Sequence, residues 1–365
     1  MKDMGNLYKY IDNCSGQFYN PKKLLTYGRP WNFIAGSRSI GKSTGIAILF
    51  ILDFIVNGHK FIYCRRTKDE LMVTCRTFFG NAVSIINAKT PFKIEDFKYD
   101  RGEYKIKLAG DPEVKVCGTI IPLSLEQKYK SSNFSEYYNL VYDEFIASVS
   151  TGYLGNANTP EREYNAVLSL YQTIDRGVDK AYRNETRFFF LGNTATIYNP
   201  LFLKLNICEY IETEAVYIAP KNQLWILERR DQVEATKEMD QSFAFMLSDD
   251  YNRNYAYKNI GADSETFIRK PDIASYIGTF TLKGEDYGIY RDSEWNFYVS
   301  SAKPGYKSIS LDVDSHNGND LMLIQKWTDY PMMGLLTEAY KRGTLYFSNG
   351  KIQNSLLKYL KFLPA

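Results

Sequence analysis

Histidine is almost missing from this 365-residue chain, which holds only His59 and His316. Cysteine is scarce as well, and Cys14, Cys64, Cys75, Cys117 and Cys208 form no C-x-x-C pair. A zinc site or a disulfide framework is therefore not expected, and the pattern suits a reducing, cytosolic compartment. Long apolar runs are absent too. The most apolar stretch, Ile46 to Val56, is interrupted by Asp53 and falls short of the ~20 residues that cross a bilayer, so it reads as a buried core helix. Met1 to Asn20 are polar, and no signal peptide is expected there. No charge of one sign dominates: 45 Lys+Arg stand against 42 Asp+Glu, a net +3. A tail-driven nucleic-acid binder would be more basic, so any such contact must come from local patches. No internal repeat or low-complexity segment is present. With 44% hydrophobic residues, disorder is excluded as a general state, and the length favours two domains.

Aromatics are plentiful, at 15% with 30 tyrosines, which suits half-buried strands and amphipathic surfaces. Five short apolar or β-branched runs read as buried strands: Trp31–Ala35, Lys60–Cys64, Asn139–Tyr142, Arg187–Leu191 and Glu214–Ile218. Helical stretches lie between them, notably Lys42–Val56 and Lys68–Ile86. That alternation predicts an α/β fold with a parallel sheet flanked by helices. Phe92–Leu108, with a turn at Tyr99–Gly102, and then Glu113–Ser124 read as antiparallel hairpin material. Leu227–Ser248 reads as a charged helix connecting domains, and a small β-rich unit begins near Glu265 and closes on a helix near Gln353–Phe362. The expected division is an α/β domain at 1–226, a helical linker at 227–264 and a C-terminal domain at 265–365.

The strongest motif is Gly36-Ser37-Arg38-Ser39-Ile40-Gly41-Lys42-Ser43, a complete GxxxxGK[ST] between a strand and a helix. Glycines let backbone N–H groups wrap phosphates, and the helix N-terminus adds a positive dipole. Lys42 is expected to reach the β- and γ-phosphates of ATP, with Ser43 on Mg²⁺ and Thr44 completing the nucleotide contacts. The apolar run ending in Asp143-Glu144 supplies a metal-side acid and, at once, a residue that can polarise water. Paired acids favour water as acceptor, hence hydrolysis. Asn193, after the Arg187–Leu191 run, can sense the γ-phosphate or place the lytic water; an ordinary strand-end turn is the plainer alternative. Arg65, Arg66 and Lys68 follow another strand end, where ligands of parallel sheets bind, although a solvated basic turn fits equally.

Several further segments carry a family resemblance. Phe18–Arg29, Asn32-Phe33 and the phosphate-binding loop, then Phe61–Arg66, Ile121–Ser124, Val141–Ile146, Leu170–Arg176, and Leu191–Asn193 with Asn199–Phe202, resemble the DNA-packaging ATPases of small Picovirinae-type (phi29-like) tailed phages. The match is dense over 18–203 and weaker beyond. The resemblance implies a P-loop NTPase of the additional-strand, catalytic-glutamate class. It implies a homomeric ring, thought of as a pentamer, in the host cytoplasm and transiently at the prohead portal vertex, where it drives double-stranded DNA inward. Partners so implied are DNA, the portal or connector and a packaging RNA, with no membrane. By matching position, Lys42 and Ser43 form the loop pair, Asp143 the metal-side acid, Glu144 the catalytic base and Arg176 the arginine finger acting in trans. Arg65 and Lys68 fall on basic positions near nucleotide and DNA lumen. The family's basic loop after the glutamate is replaced here by uncharged Ile146–Thr151, so Lys98 and Arg101 on the hairpin, with Lys105 and Lys107, become candidate DNA contacts; a merely charged, exposed hairpin is the plainer alternative.

Ser310–Asp314, followed by Asp320, resembles the first hairpin of an RNase H-like nuclease. Two-metal cleavage needs convergent acids from distant strands and a late helix. No Asp or Glu follows Glu338, whereas Lys341, Arg342, Lys351, Lys358 and Lys361 do. A vestigial, binding-only nuclease fold is therefore expected, the alternative being a packaging motor with an active C-terminal endonuclease.

Overall fold

The computed structural model describes residues 4–16, 18–36, 40–147, 153–155, 162–176, 185–193, 199–205, 207, 216–218, 225–230, 274–282, 285–301, 308–310, 330–342, 344–348, 352, 353, 356 and 360. Two helices, α1 (Met4–Ser15) and α2 (Lys22–Thr26), precede the first strand, β1 (Trp31–Gly36). Helix α3 (Lys42–Asn57) follows, then β2 (Lys60–Arg65), α4 (Lys68–Thr74), α5 (Gly80–Lys89), β3 (Ile94–Asp100), β4 (Glu103–Leu108) and β5 (Lys115–Pro122). After a 3₁₀ segment come β6 (Tyr137–Asp143), α6 (Arg162–Ile174), β7 (Arg187–Gly192), α7 (Pro200–Leu205), β8 (Val216–Ile218) and β9 (Trp225–Arg230).

These strands form one nine-stranded sheet ordered β3-β4-β5-β2-β6-β7-β1-β9-β8. The six central strands, β5 to β9 in that order, run parallel, and antiparallel strands close both edges. Strand β7 lies between the loop-bearing β1 and the acid-bearing β6. The parallel strands are buried on both faces, and their residues divide by the two-residue period. Ile62 and Cys64 of β2, with Leu140 and Tyr142 of β6, pack against α6 through Ala166, Val167 and Leu170. Phe61 and Tyr63 of β2, with Val141 of β6, join the cluster of α3 and α5 instead. Each such large side chain, fully buried, contributes roughly 1.5–3 kcal/mol. The same alternation decides which strand-end residues share a face with the phosphate-binding helix.

Helix α3 is apolar all round because it is covered on all sides: Ile46 through Leu52 are buried against the sheet and under α1 and α5. It stops at Gly58, whose left-handed φ of 73° lets its N–H reach the Phe54 carbonyl.

Four expectations are corrected. The single helix expected over Lys68–Ile86 is two. α4 is opened by a Thr67–Glu70 capping box and ends at Cys75, whose carbonyl accepts the Tyr104 hydroxyl at 2.7 Å, and Phe78 and Phe79 then turn into the Tyr63 and Phe61 rings. β5 is only half hairpin: it pairs antiparallel with β4 but parallel with β2, joining the hairpin to the main sheet. The helix expected from Leu227 is absent in its first four residues. Trp225, Ile226 and Leu227 are buried in β9 beside β1, and the helical appearance of Glu228–Arg230 came from charges that the strand buries at Glu228. The boundary at 227 thus moves beyond Arg230, and 231–273 lies outside the described residues. Last, β9 displaces the Glu214–Ile218 run to the edge, where its described part, β8, is antiparallel.

A second sheet, ordered β13-β10-β11-β12-β14, comprises β10 (Ser275–Leu282), β11 (Glu285–Arg291), β12 (Phe297–Ser301), β13 (Ser308–Ser310) and β14 (Leu345–Phe347), with helix α8 (Pro331–Lys341). β10, β11 and β12 form the antiparallel meander, and β13 is parallel to β10. Among the described residues the first hairpin of this unit is β10–β11; of the Ser310–Asp314 run only Ser310, the last residue of β13, is described, and Asp312, Asp314 and Asp320 lie outside the described residues.

Candidate active site

Helix α3 begins at Gly41, whose φ of 74° favours glycine, and an added Cβ there would sit 2.8 Å from the Phe18 ring. The loop is steadied from the same segment, since Tyr19 N–H donates to the Ile40 carbonyl at 3.1 Å. Lys42 is nearly buried, and its Nζ donates to the Gly36 carbonyl at 2.8 Å and to Asn193 Oδ1 at 3.1 Å. Asn193 thus lies within hydrogen-bond reach of Lys42 at the mouth of the loop. Gly36, Ile40, Gly41, Lys42, Ser43 and Thr44 are placed; Ser37, Arg38 and Ser39 lie outside the described residues.

At the carboxyl end of β6, the odd-numbered Asp143 falls on the α3 face together with Arg65 of β2. Arg65 Nη2 donates to Asp143 Oδ2 at 2.7 Å, and Tyr63 OH donates to the same oxygen at 3.3 Å. Asp143 Oδ1 carries no hydrogen bond among the described residues. Burial raises the Asp143 carboxyl above its ordinary range, the Glu144 charge adds to this, and Arg65 opposes it. Burial likewise works against the Arg65 charge, but Asp143, Tyr63 and Glu144 together hold its pKa above the ordinary value. Arg65 Nη1 also donates to Glu144 Oε2 at 2.7 Å, so one guanidinium bridges both acids.

Glu144 departs from the strand with φ 53°, a left-handed conformation that costs a non-glycine residue roughly 1–2 kcal/mol. The turn aims its side chain, 59% exposed, outward, while the following chain folds back over β7. Phe145 N–H donates to the Leu191 carbonyl at 3.1 Å, and a Cβ on Gly192 would approach the Phe145 ring to 2.7 Å. A cleft of about 490 Å³ results, lined by Gly41, Lys42, Ser43 and Thr44 together with Arg65, Asp143, Glu144 and Asn193. A cation, a strand-end acid with one open oxygen and a solvent-facing carboxylate within one cleft suit a polyphosphate, a divalent cation and an activated water.

Family membership follows from comparison with known proteins. The model of the podovirus DNA encapsidation protein (Gp16) family matches residues 13–362. The chain belongs to that family. The DNA packaging protein of Bacillus phage phi29 is 29% identical to this family member over 344 residues, 92% of this chain and 95% of that one. The DNA packaging protein of Bacillus phage B103 is 27% identical over 332 residues, 89% of this chain and 95% of that one. Among solved structures, the bacteriophage phi29 viral genome packaging motor assembly contains a chain of like fold, with TM-score 0.57, 23% identity and coverage of 95% of this chain and 100% of that one.

Other candidate residues of this Gp16-family chain stand outside the cleft. Arg176 is exposed just past α6 and donates to the Lys130 carbonyl at 3.2 Å. Lys68 is exposed on the first turn of α4. On the hairpin, Lys98 lies 3.2 Å from Asp96, Lys105 2.8 Å from Asp100 and Lys107 2.7 Å from Glu95, so the hairpin's basic side chains are largely neutralised. Arg101 at its tip is 92% exposed and only 4.0 Å from the already engaged Asp100.

The expectation that Arg66 shares the nucleotide face with Arg65 is corrected. Successive strand residues point to opposite faces, so Arg66 is buried on the α6 side. There it meets Glu163, fully buried and given no role by the sequence. The adjacent Arg-Arg pair at a strand end was the available signal for one arginine on each face.

Proposed function

We propose that this chain hydrolyses ATP and uses that free energy, as a homomeric ring at the portal of a prohead in the host cytoplasm, to drive double-stranded DNA inside. The observation that carries the reading is the convergence of Lys42, Asn193, Asp143 and Glu144 in one cleft, in a chain that belongs to the Gp16 family. Lys42 exchanges the Gly36 and Asn193 oxygens for phosphate oxygens. Ser43 and Asp143 would hold Mg²⁺, which when bound would neutralise phosphate charge. Glu144 keeps Oε2 on Arg65 and presents Oε1 to water as general base. Arg176, outside its own subunit's cleft, completes the neighbouring subunit's site. A pentamer, the connector, a packaging RNA and DNA contacts through Lys68, Lys98 and Arg101 belong to the same proposal. So does a C-terminal RNase H-like unit that binds without cutting, supported by the acid-free, basic stretch after Glu338; an active endonuclease is not favoured.

The test is Glu144→Gln. It retains shape and nucleotide affinity while removing water activation, so turnover falls at least ~10³-fold with the nucleotide Kd unchanged. Turnover at the parent rate would remove Glu144 from its role.

A further inference from the structure

Behind the cleft lies a buried ionic cluster that the hydrolysis scheme does not use. Arg66 is 4% exposed and Glu163 fully buried. Arg66 Nε donates to Glu163 Oε2 at 3.0 Å, and its Nη2 to Glu163 Oε1 at 3.3 Å. The Glu163 carboxylate also accepts Tyr142 OH at 2.8 Å and Leu154 N–H at 2.8 Å. Arg66 Nη2 further donates to the Phe145 carbonyl at 2.8 Å and the Glu144 carbonyl at 3.3 Å. The guanidinium lies over the Tyr142 and Tyr153 rings, 5.7 and 5.2 Å from their centroids, and the Tyr153 hydroxyl accepts Ala147 N–H at 3.2 Å.

We propose that Arg66 and Glu163 are positioning residues for the catalytic glutamate, clamping the two peptide carbonyls that fix its left-handed turn and tying that turn to α6. The proposal rests on the assignment of Glu144 as general base. A left-handed non-glycine residue persists only where its surroundings over-determine it. Two carbonyls held by one rigid, buried fork supply that constraint, and neither Lys nor a neutral donor reproduces the fork. A buried pair with every carboxylate oxygen engaged contributes little to net stability over an apolar replacement, so its geometry is the more natural reason for it. The far end of the same helix leads to Arg176, so the clamp also sets the base of one site against the finger offered to the next.

The experiment compares Arg66→Lys and Glu163→Gln with the parent and with Glu144→Gln, in the full-length chain. It reads single-turnover ATP hydrolysis, nucleotide Kd and Tm. Both variants keep the volume and part of the hydrogen bonding. Hydrolysis is expected to slow 10- to 100-fold at temperatures well below Tm, with Kd within twofold of the parent. Parent hydrolysis rates in both folded variants overturn the proposal, as does a loss confined to Kd. If both variants instead fall below the assay temperature in Tm, Tyr142→Phe, which removes one donor to Glu163, keeps the question open to decision: a slowed rate with unchanged Kd supports the clamp and an unchanged rate overturns it. Should Glu144→Gln itself turn over normally, the base assignment fails, and that outcome is distinct from failure of the clamp.

Discussion

The two ends of α3 meet the sheet through polar groups of opposite character. At its N-terminus, Lys42 reaches out to Asn193 beside Asp143, Arg65 and Glu144, around a cleft of about 490 Å³. At its C-terminal end, Asp53 is fully buried and its carboxylate accepts Asn139 Nδ2 at 2.6 Å, Asn57 Nδ2 at 2.7 Å and the His59 ring at 2.9 Å. The strands also differ at those ends: β6 contributes Asn139 to one cluster and Asp143 to the other. One cluster borders an open cleft, whereas the fully buried Asp53 carboxylate accepts three hydrogen bonds from the protein. The difference follows from the carboxyl ends of parallel strands, where loops leave an opening and helix N-termini point inward. Chemistry is thus assigned by unused valence that faces an open cleft, not by the number of charges.

The largest expected effect that sharpens this contrast concerns Arg176. In an isolated subunit it is exposed, holds the Lys130 carbonyl and does not line the cleft, so Arg176→Ala leaves the low basal ATPase nearly unchanged. In the assembled motor the same change removes the stimulated rate by ~10³-fold or more, because developing charge on the γ-phosphoryl loses its partner. Rings mixing Arg176→Ala with Glu144→Gln subunits then recover hydrolysis that neither shows alone, since each subunit type supplies what the other lacks. Mixed rings that form and remain dead would place Arg176 in cis or outside the chemistry.

The second effect concerns the other end of α3 and stability alone. Asp53→Asn replaces one carboxylate oxygen by an amide NH2 that opposes either Asn57 or the Asn139 and His59 donors, and the uncompensated cluster costs ~3 kcal/mol. Eleven residues of helix, about 16 Å, separate it from Lys42, so kcat and KM stay at parent values. Burial pushes the Asp53 carboxyl up, but the His59 hydrogen bond and charge, with Arg187 and Asn57, hold it below its ordinary value. Its folded pKa is depressed, so its contribution is present above about pH 4 and is lost as acidification passes through the folded value. Parent stability should therefore fall more steeply below pH 4 than that of Asp53→Asn, as denaturant midpoints would read; parallel curves would contradict it.

The same contrast explains what the sequence disclosed. The phosphate-binding loop and Asp143-Glu144 are contiguous runs whose residue types and strand–helix setting state their chemistry. The strands β1, β2, β6 and β7 were visible because parallel strands are apolar on both faces. Glu163 was not visible, because it lies 97 residues from Arg66 and looks like any helix-surface acid until the fold closes over it. β9 was hidden for a related reason: Glu228 looks solvated, yet it is buried and accepts the hydroxyl of Tyr19, 209 residues earlier. The finger role proposed for Arg176 rests on family resemblance, since an exposed arginine after a helix carries no signature of its own.

The smallest effect carries the rule of unused valence onto the surface. Lys98 is held near Asp96, whereas Arg101 extends from the hairpin tip with Asp100 already taken by Lys105. Lys68 is exposed on α4. A cation that contacts a DNA phosphate releases about one counterion, so its removal lowers the log–log salt slope of binding by about one. Arg101→Ala and Lys68→Ala should each lower the slope by about that amount and weaken binding only a few-fold at moderate salt. Lys98→Ala should change it less, because breaking the Asp96 pair offsets much of what a phosphate contact supplies, and it leaves Asp96 as an added negative charge. Filter-binding or fluorescence titrations across a salt series measure all three. Equal slope changes for Lys98 and Arg101 would show that ion pairing within the hairpin does not select which cations reach DNA, and three unchanged slopes would move the DNA contact elsewhere on the ring.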